Sequence, residues 1–315
     1  MPVSVSGMGA FDRRTFIIGA AGTASLVGAG SLLAACGDDT AATVATTTTA
    51  EPLATPALVQ TFPDGRAAPS PFVHSVEHRV AYVLHDGNDI MRRNAPDSVR
   101  LEIFDEAGQV VVGGDVERRD VGVPTPYYSL FFTPPAAGLY QTVLTDDAGS
   151  SQHEFLVLEP GETAIPQPGD LLPPITTGTS IDPAAVDPIC TRADPCPFHE
   201  TDLVDALGAG DKPTILSIAT PGFCQTAICG PVIDLLIEAA DERDDLHVIH
   251  AEVYADPFND EGLANGTGGD LTQIVGAYEL PYEPVLFVVG TDGVILRRLD
   301  AVYDGSELAE ALALV

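Results

Sequence analysis

Prolines crowd the middle of the chain, at Pro166, Pro168, Pro173, Pro174, Pro183, Pro188, Pro195 and Pro197, so residues 161–198 can sustain neither a helix nor a central strand. This stretch divides the sequence into two blocks of different periodicity. Before it, from 71 to 160, short apolar runs of five to eight residues are separated by turn residues: HRVAYVLHD, SVRLEIFDEAG, QVVVGGDV, YYSLFFTPP, GLYQTVLTDDAG and HEFLVLEP. No helical period interrupts them, which predicts an all-β sandwich. LEIFDEAGQVVV reads as a hairpin with Gly108 in its turn. After the proline stretch, strands alternate with helices: TDLVDALGAG (helix, with Thr201 as cap), PTILSIAT (buried strand), GPVIDLLIEAADER (amphipathic helix), LHVIHAEVY (strand), DLTQIVGAYEL (helix), EPVLFVV and GVILRRLD (a strand pair about a TDG turn), and SELAEALALV (closing helix). That order predicts an α/β layer structure over 199–315.

With 315 residues, 45% of them apolar, the chain can bury more than one core. Its charge is extreme: 14 basic against 46 acidic residues give −32, and Lys212 is the sole lysine. Such a surface argues against nucleic acid and against electrostatic attachment to anionic lipid.

The N-terminus reads as an address. Paired Arg13 and Arg14 precede a charge-free stretch of apolar and small residues that ends in Leu33-Ala34-Ala35-Cys36. It resembles a twin-arginine export signal closed by a bacterial lipobox, over residues 1–36. The resemblance implies lipidation of Cys36 and residence on the outer face of the cell membrane. Residues 37–70, rich in Thr, Ala and Pro, follow as a flexible tether. A plain secretory peptide and an uncleaved anchor are the alternatives.

Apart from Cys36, the cysteines fall into two close pairs, Cys190/Cys196 and Cys224/Cys229, which suits an oxidising compartment. The second pair sits in TPGFCQTAICGPVID, after the first strong strand of the α/β block and before its amphipathic helix. Pro231 follows within the first turns of that helix, and Glu283-Pro284 opens the strand PVLFVV. This constellation resembles the thioredoxin superfamily over about 115 residues. The resemblance implies a redox pair at Cys224 and Cys229 facing a cis-proline at Pro284, and thiol–disulfide exchange with protein thiols and disulfides outside the cytoplasm. The C-x4-C spacing is closest to bacterioferritin-comigratory-type peroxiredoxins. However, Phe223 separates Gly222 from the cysteine, Leu216 stands where that family has proline, and its late arginine is missing.

Exchange chemistry needs one exposed thiolate and a resolving thiol in reach. A helix N-terminus lowers a cysteine's pKa, so Cys224 is the candidate nucleophile and Cys229 the resolver. Residues five apart in a regular helix have Cα atoms roughly 8–9 Å apart, whereas a disulfide requires less than about 7 Å. QTAI must therefore be non-helical when the pair is oxidised, or the first turn must unwind, which Pro231 would ease. A permanent structural disulfide, a peroxidatic site and a copper-delivery site remain alternatives; for the last, His247 and His250 alternate faces on one strand. Cys190 and Cys196 are expected to form a small structural disulfide pinning the linker, with electron relay to Cys224 and a CPFH metal site using Cys196 and His199 as further readings. No cofactor or metal is assigned. His74, His78 and His85 read as scattered histidines of an exposed sheet. In PPAAGLY, Tyr140 is placed to bond back to nearby backbone. A non-catalytic thioredoxin-like scaffold with structural disulfides is the rival function.

Overall fold

The six apolar runs of the first block become six antiparallel strands, and a seventh, Thr55–Leu58, comes from the expected tether. The computed structural model describes residues 54–58, 72–86, 89–146, 149–224, 227–258 and 269–315. The expected export signal with Arg13, Arg14 and Cys36, and most of the expected tether, lie outside the described residues. The strands are β1 (Thr55–Leu58), β2 (His78–His85), β3 (Ser98–Phe104), β4 (Val110–Glu117), β5 (Tyr128–Phe132), β6 (Gly138–Asp146) and β7 (Gly149–Val157). They form a three-stranded sheet, β1-β2-β5, and a four-stranded sheet, β4-β3-β6-β7. Inward residues of both sheets, including Val80, Tyr82, Leu101, Ile103, Leu130 and Leu144, share one core, as expected of a sandwich.

Gly108 adopts φ +73° in the β3–β4 hairpin turn, a conformation glycine takes without a Cβ clash. The Tyr140 hydroxyl donates to the Ala136 carbonyl at 2.8 Å, closing the corner before β6. Strand β1 corrects the extent of the tether: Thr55–Leu58 pairs antiparallel with β2, from Thr55 opposite His85 to Leu58 opposite Tyr82. Pro56 is tolerated there because an edge strand can spare an N–H. His78 is buried rather than exposed, its Nε2 against the backbone of Val73.

The second block holds α1 (Leu203–Ala209), β8 (Thr214–Ile218), α2 (Cys229–Ala240), β9 (His247–Ala251), α3 (Gln273–Ala277), β10 (Val285–Val289), β11 (Ile295–Asp300) and α4 (Gly305–Leu312). Its sheet runs β11-β10-β8-β9, with β8 and β9 parallel and the other pairs antiparallel. Strands buried on both faces explain the unbroken apolar runs TILSI and VLFVV. One face packs Ile215, Leu286 and Val288 against Val232 and Leu236 of α2 and Leu308 of α4. The other packs Leu216, Phe287 and Val289 against Leu203 of α1 and Ile274 of α3. The cap of α1 is Asp202, not Thr201: its carboxylate accepts from the Val204 N–H at 2.9 Å and also from Thr176, Thr177 and Gly178.

Residues 161–198 are not a free linker. Gly169 and Leu172 donate backbone hydrogen bonds to Ile295 and Gly293, at 2.8 and 2.9 Å, along the outer edge of β11. The described residues all fall within one compact unit. Among them, β-structure predominates, and no helix is long and apolar enough to cross a membrane.

The sandwich and the second sheet are joined by a shared core and a buried ion pair. Strand β2 is buried on both faces: Ala81 and Val83, with Tyr127, join the core of α2 and α4. Arg79, on that strand, donates from Nε to Glu307 Oε1 at 2.9 Å and from Nη2 to Oε2 at 2.5 Å. It also donates to the carbonyls of Asp300 and Val302. Glu307 accepts in addition from Tyr127 (2.6 Å) and Ser129 (2.9 Å). Burial opposes ionisation of Glu307, but Arg79 and these donors outweigh it and lower its pKa.

Removing one partner of such a pair strands a buried charge, at a cost of about 3–5 kcal/mol. Arg79→Met is therefore expected to lower the stability of the full chain by that amount in urea denaturation. Adding Glu307→Leu should recover most of it. Unfolding of the sandwich and of the second sheet in separate transitions in the unmutated chain would contradict the shared core.

Candidate functional site

Two cysteine pairs converge at the C-terminal end of β8, where the chain leaves the sheet through Ala219, Thr220 and Gly222. The first pair is bonded: Cys224 and Cys229 form a disulfide with Cα atoms 5.8 Å apart. The helical geometry that would forbid it is avoided because α2 begins at Cys229, with Ile228 as its cap. The Ala227 N–H donates to the Cys224 carbonyl at 3.2 Å, and Ala227 has φ +56°, so the segment turns before the helix starts. Pro231 is the third helical residue, where its missing N–H lies among those without an intrahelical partner anyway. Cys229 is fully buried, whereas Cys224 is half-buried. The Cys229 backbone N–H, at the positive end of α2, donates to Cys224 Sγ at 3.2 Å.

A carboxyl group stands behind the pair. Glu283 Oε2 lies 3.5 Å from Cys229 Sγ and accepts the Thr220 N–H at 2.6 Å. Burial raises the Glu283 pKa to about 8, against a weaker lowering by the Thr220 N–H. The peptide between Glu283 and Pro284 is cis, and Pro284 is buried at the start of β10. Beside Cys224, Phe223 packs edge-on against Phe258, their ring centres 5.2 Å apart, and Phe258 is 50% exposed. Thr220 does not face the disulfide with a spare hydroxyl: it accepts the Val253 N–H at 2.7 Å and bonds the Glu252 carboxyl.

The second pair is not a disulfide, which corrects the expectation for Cys190 and Cys196. Both are free, with Sγ atoms 3.9 Å apart, because each faces imidazole instead of being joined to the other. Cys196 Sγ lies 3.2 Å from His199 Nε2 and 3.3 Å from His250 Nδ1; Cys190 Sγ lies 3.9 Å from the same Nδ1. All four side chains are buried. The Cys196 S–H hydrogen bond and the neighbouring imidazoles hold the Cys190 thiol low despite its burial, and Cys196 is raised in turn.

The parallel β8–β9 pairing sets His250 opposite Ser217, so its ring points to Cys190 and Cys196 rather than to Cys224. His247, three residues earlier, turns outward to Asp211 at 2.8 Å. Thr191 ties the two pairs together. Its N–H and hydroxyl donate to Glu252, and its hydroxyl oxygen accepts the Gly222 N–H at 2.9 Å. A Cβ on Gly222 would lie 3.0 Å from the Thr191 Cβ, a tight contact that glycine avoids.

The sequence offered no reason to single out Glu283 beyond its place before Pro284. The convergence of His199 and His250 had one legible sign: histidines inside apolar, buried segments need polar partners.

No family model and no curated protein matches this chain. Among solved structures, CopC from Methylosinus trichosporium OB3b is 20% identical, with a TM-score of 0.22, over 34% of this chain and 97% of CopC. The M1 domain from titin is 11% identical, with a TM-score of 0.18, over 28% of this chain and 82% of that domain. The PKD domain of human SorCS2 is 14% identical, with a TM-score of 0.17, over 43% and 98%. At this level of likeness no residue role is transferred.

A carboxyl whose pKa is raised on folding favours the folded state most below its unfolded pKa, and that contribution is lost as pH rises towards the folded value. Glu283→Gln removes the titration. Relative to the parent, the variant is expected to gain stability progressively between the ordinary carboxylate value of 4.5 and about 8, then level off. Parallel denaturation of the two proteins across this pH range measures the difference, and a difference independent of pH would contradict the assignment.

Proposed function

We propose that this chain is an exported, lipid-anchored thiol–disulfide oxidoreductase, in which a thioredoxin-like unit is carried beside an immunoglobulin-like sandwich. Arg13, Arg14 and the Leu33-Ala34-Ala35-Cys36 segment support export and anchoring through Cys36. The sheet order, with one parallel and two antiparallel pairings and helices on both faces, supports the thioredoxin-like reading. The observation that carries the activity is the asymmetric environment of one disulfide. Cys224 is half-buried and receives the N–H at the start of α2, while Cys229 is buried against a carboxyl group.

In the reducing direction, the Cys224 thiolate attacks one sulfur of a substrate disulfide. A mixed disulfide forms, and the other substrate sulfur leaves as thiolate. The N–H of Cys229 favours the thiolate form of Cys224. Glu283, with a pKa of about 8, lies near the thiol range and so suits proton exchange with Cys229. Its carboxylate takes the Cys229 proton as that sulfur attacks Cys224 Sγ. The Cys224–Cys229 disulfide closes, the substrate's second sulfur departs, and two electrons have passed from the dithiol to the substrate. Every step reverses for oxidation of a substrate dithiol. Phe223 and Phe258 offer an apolar contact for a partner protein beside Cys224, and Pro284 shapes the wall facing the pair. Substrates under this reading are extracytoplasmic proteins.

With the reduced full chain and a disulfide-bearing protein substrate, Cys229→Ser is expected to accumulate a mixed disulfide through Cys224. Cys224→Ser should give none. Glu283→Gln should slow resolution at neutral pH by about 10²-fold, the lower end of general acid–base effects, and should abolish the rate inflection near pH 8. A Cys224–Cys229 bridge that stays oxidised at potentials below about −300 mV would identify a structural brace and overturn the proposal.

A further inference from the structure

Cys190, Cys196, His199 and His250 lie around a single point, their four ligand atoms all within 4.8 Å of one another. We propose that they form a closed tetrahedral Zn²⁺ site that fastens the proline-rich arm to β9. This inference stands independently of the exchange reaction at Cys224.

The distances fit a metal better than a disulfide. Tetrahedral zinc, with Zn–S about 2.3 Å and Zn–N about 2.0–2.1 Å, sets ligand edges of about 3.8 Å for S···S and about 3.6 Å for S···N. The S···S separation is 3.9 Å, and three S···N contacts are 3.2, 3.3 and 3.9 Å. A disulfide would need about 2.05 Å between the sulfurs.

The histidine orientations fit as well. His250 Nε2 donates to the Ala219 carbonyl at 2.9 Å, which leaves the Nδ1 lone pair pointing at both sulfurs. A backbone carbonyl in that role fixes the tautomer and aim of a ligating imidazole. His199 presents Nε2 to Cys196, while its Nδ1 is buried without a hydrogen-bond partner. With Nδ1 unpartnered, the ring's hydrogen-bond contact is through Nε2, the nitrogen that would coordinate the ion. Two thiolates, two neutral imidazoles and Zn²⁺ sum to zero charge, which removes the main objection to burying them.

The fold also gives the ion something to do. Around Cys190 and Cys196 the arm has neither helix nor strand, and Pro188, Pro195 and Pro197 contribute no N–H groups. It nevertheless lies against the outer edge of β9, where the His250 N–H donates to the Phe198 carbonyl at 3.0 Å. Two ligands come from the arm, a third, His199, directly follows it, and the fourth lies on the strand, so the ion would close a bond across that edge. Four protein ligands leave no open position, which marks a structural site rather than a catalytic one. An S₂N₂ tetrahedral donor set selects zinc among common divalent ions.

The test uses the full chain, purified under reducing conditions and depleted of metal, then titrated with Zn²⁺ and with Co²⁺ as a spectroscopic probe. Expected are about one equivalent of Zn²⁺ per chain by elemental analysis, and the intense visible bands of tetrahedral thiolate-bound Co²⁺. The double variant Cys224→Ser/Cys229→Ser should retain both signals. Cys196→Ser and His250→Ala should lose at least tenfold in Zn²⁺ affinity. His250→Cys, which keeps a ligand at that position, should restore stoichiometric binding with a stronger thiolate-to-cobalt band, and so separates ligand loss from misfolding. The proposal is overturned if neither ion binds the reduced chain. It is also overturned if Co²⁺ bands persist unchanged in Cys196→Ser, if only Cu(I) binds, or if the Cys224→Ser/Cys229→Ser chain, isolated without reductant, carries a Cys190–Cys196 disulfide in place of the metal.

Discussion

The buried pair of Arg79 and Glu307 fixes how everything else in this molecule is arranged. Each ion alone would be expensive to remove from water, and their mutual attraction offsets that only when the remaining donors and acceptors are also matched. Here they are: the guanidinium reaches both carboxylate oxygens and two carbonyls, and Tyr127 and Ser129 complete the carboxylate. Because Arg79 lies on β2 and Glu307 on α4, the match exists at only one placement of the sandwich on the second sheet. The same placement lets the Asp304 carboxylate cap α4 at the Glu307 N–H and also accept the Val121 N–H from the sandwich side. The apolar contact of Ala81, Val83 and Tyr127 supplies attraction without direction. The ion pair supplies the direction.

A second dependency runs from the proline-rich arm to the disulfide. The arm is held at β9 by His250 and at the following turn by Glu252, which takes both polar groups of Thr191. Thr191 in turn holds Gly222, two residues before Cys224. From the other side, the end of β8 contributes the Ala219 carbonyl to His250 and, one residue on, the Thr220 N–H to Glu283. Neighbouring residues of one strand end therefore orient one group in each cysteine site. Displacing the arm would move the backbone that carries Cys224, and this makes the arm part of the site rather than a connection between domains.

Much of this was legible in the sequence because its cause is local. Period-two runs gave β2 to β7, and apolar periodicity gave the four helices and the buried strands around them. The helix after the second cysteine pair followed from its apolar period, whereas the sequence left the state of residues 225–228 open, and α2 begins only at Cys229. What escaped depends on partners far away in the chain. Strand β1 is four residues, TPAL, with no alternation of its own, and it is a strand only because β2 offers an edge. Glu307 reads as one more acid of an amphipathic helix until Arg79, 228 positions earlier, is placed on it. His250 meets Cys190 and Cys196 across 60 and 54 positions, and the pairing of those two cysteines was read from their nearness in sequence alone. Nearness of cysteines along a chain bounds their distance, but it does not choose between a bond and a shared ligand.

That choice is made by what surrounds the sulfurs. Both pairs sit at the core shared by α2 and α4, with similar spacings, so sequence separation does not distinguish them. Cys224 and Cys229 meet an N–H donor on one side and a carboxyl on the other, and they are bonded to each other. Cys190 and Cys196 meet two imidazole nitrogens instead. The Cys224–Cys229 bond closes without distorting α2, because Cys224 lies before the helix and Cys229 is its first residue. Among the imidazoles, the sulfurs of Cys190 and Cys196 stay 3.9 Å apart. One fold thus brings two cysteine pairs to a single strand end and gives their sulfurs different immediate neighbours.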